Sequence, residues 1–185
     1  MKRSFARSPY LWAMLGLAAV VATAWVSRGS FQPIIPGATA PSFAVTTMDG
    51  STVNVDEYRG KVVLLNVWAT WCGPCVEEMP SMQRLYEALD GTDFEILAVS
   101  IDARLGDVDA GGRPGGDIGA FAAQLGLTFP ILHNPAGDIQ RAYQTTGVPE
   151  SFVIDRDGTI QKKIAGPTRW DASENEELIR RLLGG

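Results

Sequence analysis

Cysteine and histidine are nearly absent from this chain: among 185 residues there are 2 cysteines and 1 histidine. A structural zinc site needs four ligands, so Cys72, Cys75 and His133 leave the set incomplete. A disulfide across two intervening residues closes too short a loop to constrain the unfolded chain strongly, which argues against a purely structural pairing. Positive charge is also scarce. Four of the 16 Lys and Arg (Lys2, Arg3, Arg7, Arg28) and none of the 21 acids precede residue 29, so the remainder holds 12 basic against 21 acidic side chains, a net of −9. Such a domain cannot replace the counterions around phosphate, and nucleic acid is excluded as a partner. No internal repeat is visible. The length and the 45% apolar, 20% charged composition fit one globular domain with an appendage.

The appendage is a targeting segment. Residues 8–27 carry no charge and residues 10–26 are nearly all apolar, at the lower edge of what spans a hydrocarbon core of roughly 30 Å. Lys2, Arg3 and Arg7 precede the run and only Arg28 follows it, so its start is expected on the cytoplasmic side. Ala22-Thr23-Ala24 would serve as a signal-peptide cleavage site. The run is long for a cleaved signal, and Trp12 and Trp25 suit membrane interfaces, so residues 1–28 are expected to be a single-pass anchor in the lipid bilayer. The alternative is secretion after cleavage. Both place residues 42–185 outside the cytoplasm, after a linker at 29–41 containing Pro33, Pro36, Gly37 and Pro41.

Beyond the linker, residues 43–46 and 52–55 flank an Asp49-Gly50 turn and predict a β-hairpin. Residues 61–67 form a continuous apolar run, as a strand covered on both faces requires. Met79, Met82, Leu85, Tyr86 and Leu89 then recur at helical spacing, and 94–101 reads as another buried strand. Residues 103–117, with five glycines and three aspartates, read as a mobile loop. Helices are expected at 118–125 and 136–143, a short extended segment at 129–132, and a second hairpin at 151–164 around Gly158. A closing helix is expected with Asp171 as its cap and Glu174 three positions on. The order predicts an α/β sandwich, a mixed central sheet flanked by helices, with an extra N-terminal β-hairpin.

The two cysteines lie in Cys72-Gly73-Pro74-Cys75. A redox dithiol needs this spacing, because the second thiol must reach the first after a mixed disulfide forms. The preceding strand delivers Cys72 to the start of a helix, where unpaired N–H groups and the positive helix end favour a thiolate. Pro74 falls in the first turn, where its missing N–H costs nothing. Cys75, deeper in the helix, is expected to be buried. Cys72 would attack and Cys75 would resolve, with no cofactor beyond the Cys72–Cys75 disulfide.

The run Asn66-Val67-Trp68-Ala69-Thr70-Trp71-Cys72-Gly73-Pro74-Cys75 resembles the active site of the thioredoxin superfamily. With Glu77-Glu78-Met79-Pro80, Gly147-Val148-Pro149-Glu150-Ser151-Phe152 and the N-terminal hairpin, residues 41–183 resemble the TlpA/ResA/CcmG group of exported thiol:disulfide oxidoreductases. The resemblance implies a membrane-anchored thioredoxin-like reductase of protein disulfides, often serving cytochrome c maturation by keeping apocytochrome c cysteines reduced. It also implies a membrane dithiol as electron donor. It places Trp71, Gly73, Pro74, Val148 and Pro149 at the substrate contact and makes Pro149 cis, although a Gly-Val-Pro before a strand is more often an ordinary turn. Glu78 matches an acid near the cysteine pair. One turn past Cys75, it could take or relay a proton. Asn66 stands where cytoplasmic thioredoxins carry a buried acid; an amide cannot take that proton, so the role passes to Glu78.

Other candidates are weaker. Glu77 reads as solvated surface. His133 raises a copper-binding chaperone as the alternative from another class, but those proteins space their cysteines C-x3-C. A dithiol oxidase that inserts disulfides is the alternative within the same chemistry. Asp107 and Asp109 could bind calcium but read as a solvated loop. A peroxiredoxin would need Pro and Thr where Leu65 and Ala69 stand.

Overall fold

A computed structural model describes residues 9–27 and 33–184. The basic residues Lys2, Arg3, Arg7 and Arg28 and the first part of the expected linker, 29–32, lie outside the described residues. The apolar segment forms helix α1 (Pro9–Ser27), 19 residues long. At 1.5 Å per residue it extends about 28 Å, against a hydrocarbon core of about 30 Å. Among the described residues no helix is long and apolar enough to cross a membrane.

The compact domain begins at Ile34, so the second half of the expected linker is part of the fold. Gly37 N–H donates to the Ile160 carbonyl at 2.8 Å, Ile160 N–H to the Ala38 carbonyl at 2.9 Å, and Ala40 N–H to the Gly158 carbonyl at 2.8 Å. Ile34 and Ala40 are buried. Prolines signalled a linker here because they cannot donate; the residues between them do.

Seven strands form one mixed sheet in the order β2-β1-β5-β4-β3-β6-β7. They are β1 (Ala44–Thr47), β2 (Thr52–Asn54), β3 (Val62–Trp68), β4 (Phe94–Ser100), β5 (Ile131–His133), β6 (Glu150–Ile154) and β7 (Ile160–Ala165). The strands β3, β4 and β5 run parallel, while β6 lies antiparallel to β3 on its other side. All seven residues of β3 are buried, and strand alternation divides them between two cores. Val62, Leu64 and Trp68 face helix α2 (Gly73–Ala88), helix α3 (Ile118–Gln124) and helix α5 (Ser173–Gly184), through Met79, Met82, Ile118 and Ile179. Val63, Leu65 and Val67 face the N-terminal hairpin and helix α4 (Asp138–Ala142), through Val45, Ile139 and Tyr143. The predicted thioredoxin-like sandwich with its extra hairpin is the observed fold.

Two local expectations are corrected. Asp171 does not cap α5; its carboxylate accepts from Arg84 Nε at 2.8 Å and also pairs with Arg169. The charge of Arg84, brought from α2, outcompetes a local N–H. The segment 103–117 is a folded hairpin-like lobe and not an open loop: Leu105 bridges to Gly115 and Val108 to Pro114. The Asp109 carboxylate, read as solvated, accepts from Gly111 N–H at 2.8 Å and Arg113 N–H at 2.9 Å. It also pairs with Arg113 Nε at 2.7 Å.

Ile34→Ala is expected to lower stability by about 2–4 kcal/mol, read as a fall in the urea midpoint at unchanged slope. In a true linker the change would stay within about 0.5 kcal/mol.

Candidate active site

The site lies where parallel strands β3 and β4 end. After Trp68 the chain turns through Ala69, Thr70 and Trp71, and α2 starts with Cys72 as its N-cap residue. The turn is held by Asp102, a fully buried carboxylate just past β4. It accepts from Thr70 N–H at 2.8 Å, Thr70 Oγ1 at 2.5 Å and Ser100 Oγ at 2.6 Å. Asp102 escaped the sequence reading, although an acid at the end of the strand parallel to the one delivering the cysteine had to arrive at the same sheet edge.

Cys72 and Cys75 form a disulfide with S–S 2.06 Å. Cys75 is fully buried, whereas Cys72 keeps 5% exposure beside the exposed Gly73 and Pro74. Only one of the two sulfurs can therefore be approached. Cys75 N–H donates to Cys72 Sγ at 3.2 Å. The Val148–Pro149 peptide bond is cis. Because Glu150 pairs with Val67 and Ser151 with Asn66, Pro149 enters β6 at the sheet end where β3 hands over to the cysteines. Trp71 and Val148 line one groove of about 490 Å³.

A buried polar chain links β3, α2 and β6 at this end of the sheet. Asn66 Nδ2 donates to Glu78 Oε1 at 2.7 Å and to Ser151 Oγ at 2.8 Å. Thr168 N–H donates to Glu78 Oε2 at 3.1 Å. Burial pushes the Glu78 carboxyl up to about 7; the Thr168 N–H and the Asn66 amide hold it back from rising further. The Trp170 indole is near enough to act the same way, though its N–H makes no hydrogen bond. A carboxyl so placed can exchange a proton near neutral pH. Its carboxylate borders a cleft of about 330 Å³ shared with Glu77, Pro167, Thr168 and Arg169. Glu77 is exposed, as read from the sequence.

Glu150, beside the cis-proline, was not singled out as a site residue. It is buried, accepts from Thr146 N–H at 2.9 Å and pairs with Lys163 Nζ at 2.9 Å, so it ties the Pro149 turn to β7. Nothing in its local pattern distinguishes it from a solvated acid. His133, on which the copper alternative depends, directs Nε2 to the Asp102 carbonyl at 2.8 Å. A carbonyl only accepts, so that nitrogen carries the proton and the contact is structural. Among the described residues no group of three or more His, Cys, Asp or Glu is placed to hold a metal ion.

Comparison with known proteins agrees with this geometry. The family model described as AhpC/TSA family matches residues 36–163. The thiol-disulfide oxidoreductase ResA of Geobacillus thermodenitrificans is 37% identical over 145 residues, covering 78% of each chain. That of Bacillus thuringiensis subsp. konkukian is 35% identical over 146 residues, covering 79% of this chain and 78% of its own. Among solved structures, a thiol:disulfide interchange protein described as DsbE from Chlorobium tepidum superposes with TM-score 0.70 at 33% identity. It covers 81% of this chain and 99% of that one.

The Glu78 carboxyl is expected to imprint itself on stability. Below about pH 4.5 it is protonated in both folded and unfolded chains. As pH rises toward about 7 the unfolded chain releases the proton first, so wild-type stability should fall through that window and then level off. Glu78→Gln should remove a fall of roughly 3 kcal/mol. Denaturant titrations of the oxidised proteins at several pH values check this; parallel curves would contradict it.

Proposed function

We propose that this chain, which belongs to the AhpC/TSA family and within it to the TlpA/ResA/CcmG-like thiol:disulfide oxidoreductases, runs in the reducing direction on protein disulfides outside the cytoplasm. Its redox group is the Cys72–Cys75 pair itself. The observation that carries the direction is that support for a Cys72 thiolate comes from the start of α2 and not from a cationic side chain. Among the described residues its Sγ accepts one hydrogen bond, from Cys75 N–H, and no Lys, Arg or His donates to it. Strong oxidants owe their potential to a stabilised reduced form. Here a buried carboxylate shares α2 with the cysteines and opposes that stabilisation.

In the reaction, the Cys72 thiolate attacks one sulfur of a substrate disulfide. A Cys72–substrate S–S bond forms, and the other substrate sulfur leaves as a thiolate that takes a proton from water. Cys75 passes its thiol proton to the Glu78 carboxylate and attacks Cys72 Sγ. The Cys72–Cys75 bond closes and the second substrate thiolate is released. Two electrons have moved to the substrate, and a membrane dithiol restores the pair by the reverse exchange. Pro149 presents the adjoining backbone to an extended substrate strand, with Trp71, Gly73, Pro74 and Val148 around the reacting sulfur. The ResA likeness supports cytochrome c maturation as the setting, with apocytochrome c as substrate.

The N-terminal segment supports an extracytoplasmic site of action. Lys2, Arg3 and Arg7 precede an apolar helix that exposes Trp12 and Trp25, and only Arg28 follows it, so we read the segment as a single-pass anchor with the domain on the extracytoplasmic side.

Cys72→Ser is expected to abolish turnover, whereas Cys75→Ser should accumulate mixed disulfides whose captured partner names the substrate. Equal trapping by both variants would contradict these roles. The reduction potential should lie near that of reducing thioredoxins, about −270 mV; a value near −120 mV would reverse the assigned direction. In intact cells a membrane-impermeant maleimide should reach Cys72 after mild reduction. Labelling only after lysis would place the domain inside, and the mass of the mature N-terminus distinguishes a retained tether from cleavage after Ala24.

A further inference from the structure

We infer that the lobe formed by residues 103–117 is the substrate-selecting wall of the groove beside the disulfide, and that Arg113 is its specificity-determining residue for an extended polypeptide. This rests on the dithiol reading above. The groove of about 490 Å³ starts at Trp71, the neighbour of Cys72, and at Val148, the neighbour of cis-Pro149, and runs out to Asp109 and Arg113. It therefore reaches the residues that directly precede Cys72 and cis-Pro149 in the chain.

The wall is fixed to the catalytic turn. Asp102, where the lobe departs from β4, binds both polar groups of Thr70. At the other end Gly116 packs on Thr70 so closely that a Cβ would collide with Thr70 Oγ1, and Gly115 lies equally close to the Ala103 and Arg104 carbonyls. Between these ends Asp109 grips Arg113 through Nε. The guanidinium is laid over Trp71, with Cζ 3.6 Å from the ring centroid. This stack orients the indole that borders Cys72.

The same geometry leaves Arg113 with donors to spare. Nε is spent on Asp109, the side chain is half exposed, and among the described residues no hydrogen bond reaches its two Nη groups. Four N–H groups in a planar fork are thus unspent on a residue that lines the groove. The lining also includes Gly137 and Gly147, which let another main chain approach. An extended polypeptide flanking a disulfide offers the carbonyls this fork would bind. A small disulfide reaches Cys72 without touching the wall.

The test compares two second-order rate constants for oxidation of the full-length reduced protein, one with insulin and one with hydroxyethyl disulfide, followed by tryptophan fluorescence. In Arg113→Ala the insulin-to-small-disulfide ratio should fall about tenfold, from loss of the stack and the fork together. Asp109→Asn, which frees Arg113 from its ion pair, should lower the ratio in the same direction. Arg113→Lys should not restore it, because an ammonium has no planar fork. A ratio within about twofold of wild type in Arg113→Ala, or full rescue by lysine, would overturn the inference. Wild-type protein that reduces hydroxyethyl disulfide but not insulin would overturn the groove assignment alone. Reaction with neither would overturn the reductase reading, and this inference with it.

Discussion

The complete burial of strand β3 is the constraint on which the rest depends. Its seven residues are covered on both faces, so helices must pack on one side and the hairpin with α4 on the other. A strand so enclosed has little freedom in where it ends, and its end is where Cys72 begins. The single polar residue within it, Asn66, faces the side of α2, where leaving its Nδ2 donors unpaired would cost the desolvation of an amide. Nδ2 bonds Glu78 and Ser151, while Oδ1 has no partner among the described residues, so the same burial that stabilises the fold ties an acid three residues past Cys75 to the strand.

The electrostatics of the site follow from where water is excluded. Glu78 is raised toward neutrality because it is buried, and it remains able to ionise because an amide and a backbone N–H meet its oxygens. Asp102 and Glu150 are buried as well, but both serve to hold backbone: one fixes the turn before Cys72 and the other the turn before β6. Three buried acids within one sheet end thus divide into one raised toward neutrality and two that hold backbone.

Much of this was legible along the chain. The buried strands, both hairpins, the cysteine motif at a helix start and the identity of Glu78 are local signals: apolar runs, an Asp-Gly turn, fixed spacing. The family resemblance added the cis bond before Pro149, which the structure contains and local sequence argued against. What went unread was long-range. The second half of the expected linker pairs with residues about 120 positions away, and Asp171 leaves a local cap for an arginine on another helix. Residues 103–117 looked mobile because glycine and aspartate are common in open loops. There glycine permits close packing, and aspartate accepts from three donors.

For the Cys72-Gly73-Pro74-Cys75 motif, the sequence by itself determined the chemistry: two thiols at resolving distance, the first at a helix start. Only tertiary structure decided which groups gather around them, because Asn66, Asp102, Arg113 and Glu150 reach the same end of the sheet through strand register and lobe packing. Spacing between neighbours is a local property, readable from residue to residue. Burial, and the proton affinity and hydrogen bonding it imposes, exists only once distant segments have closed over the site.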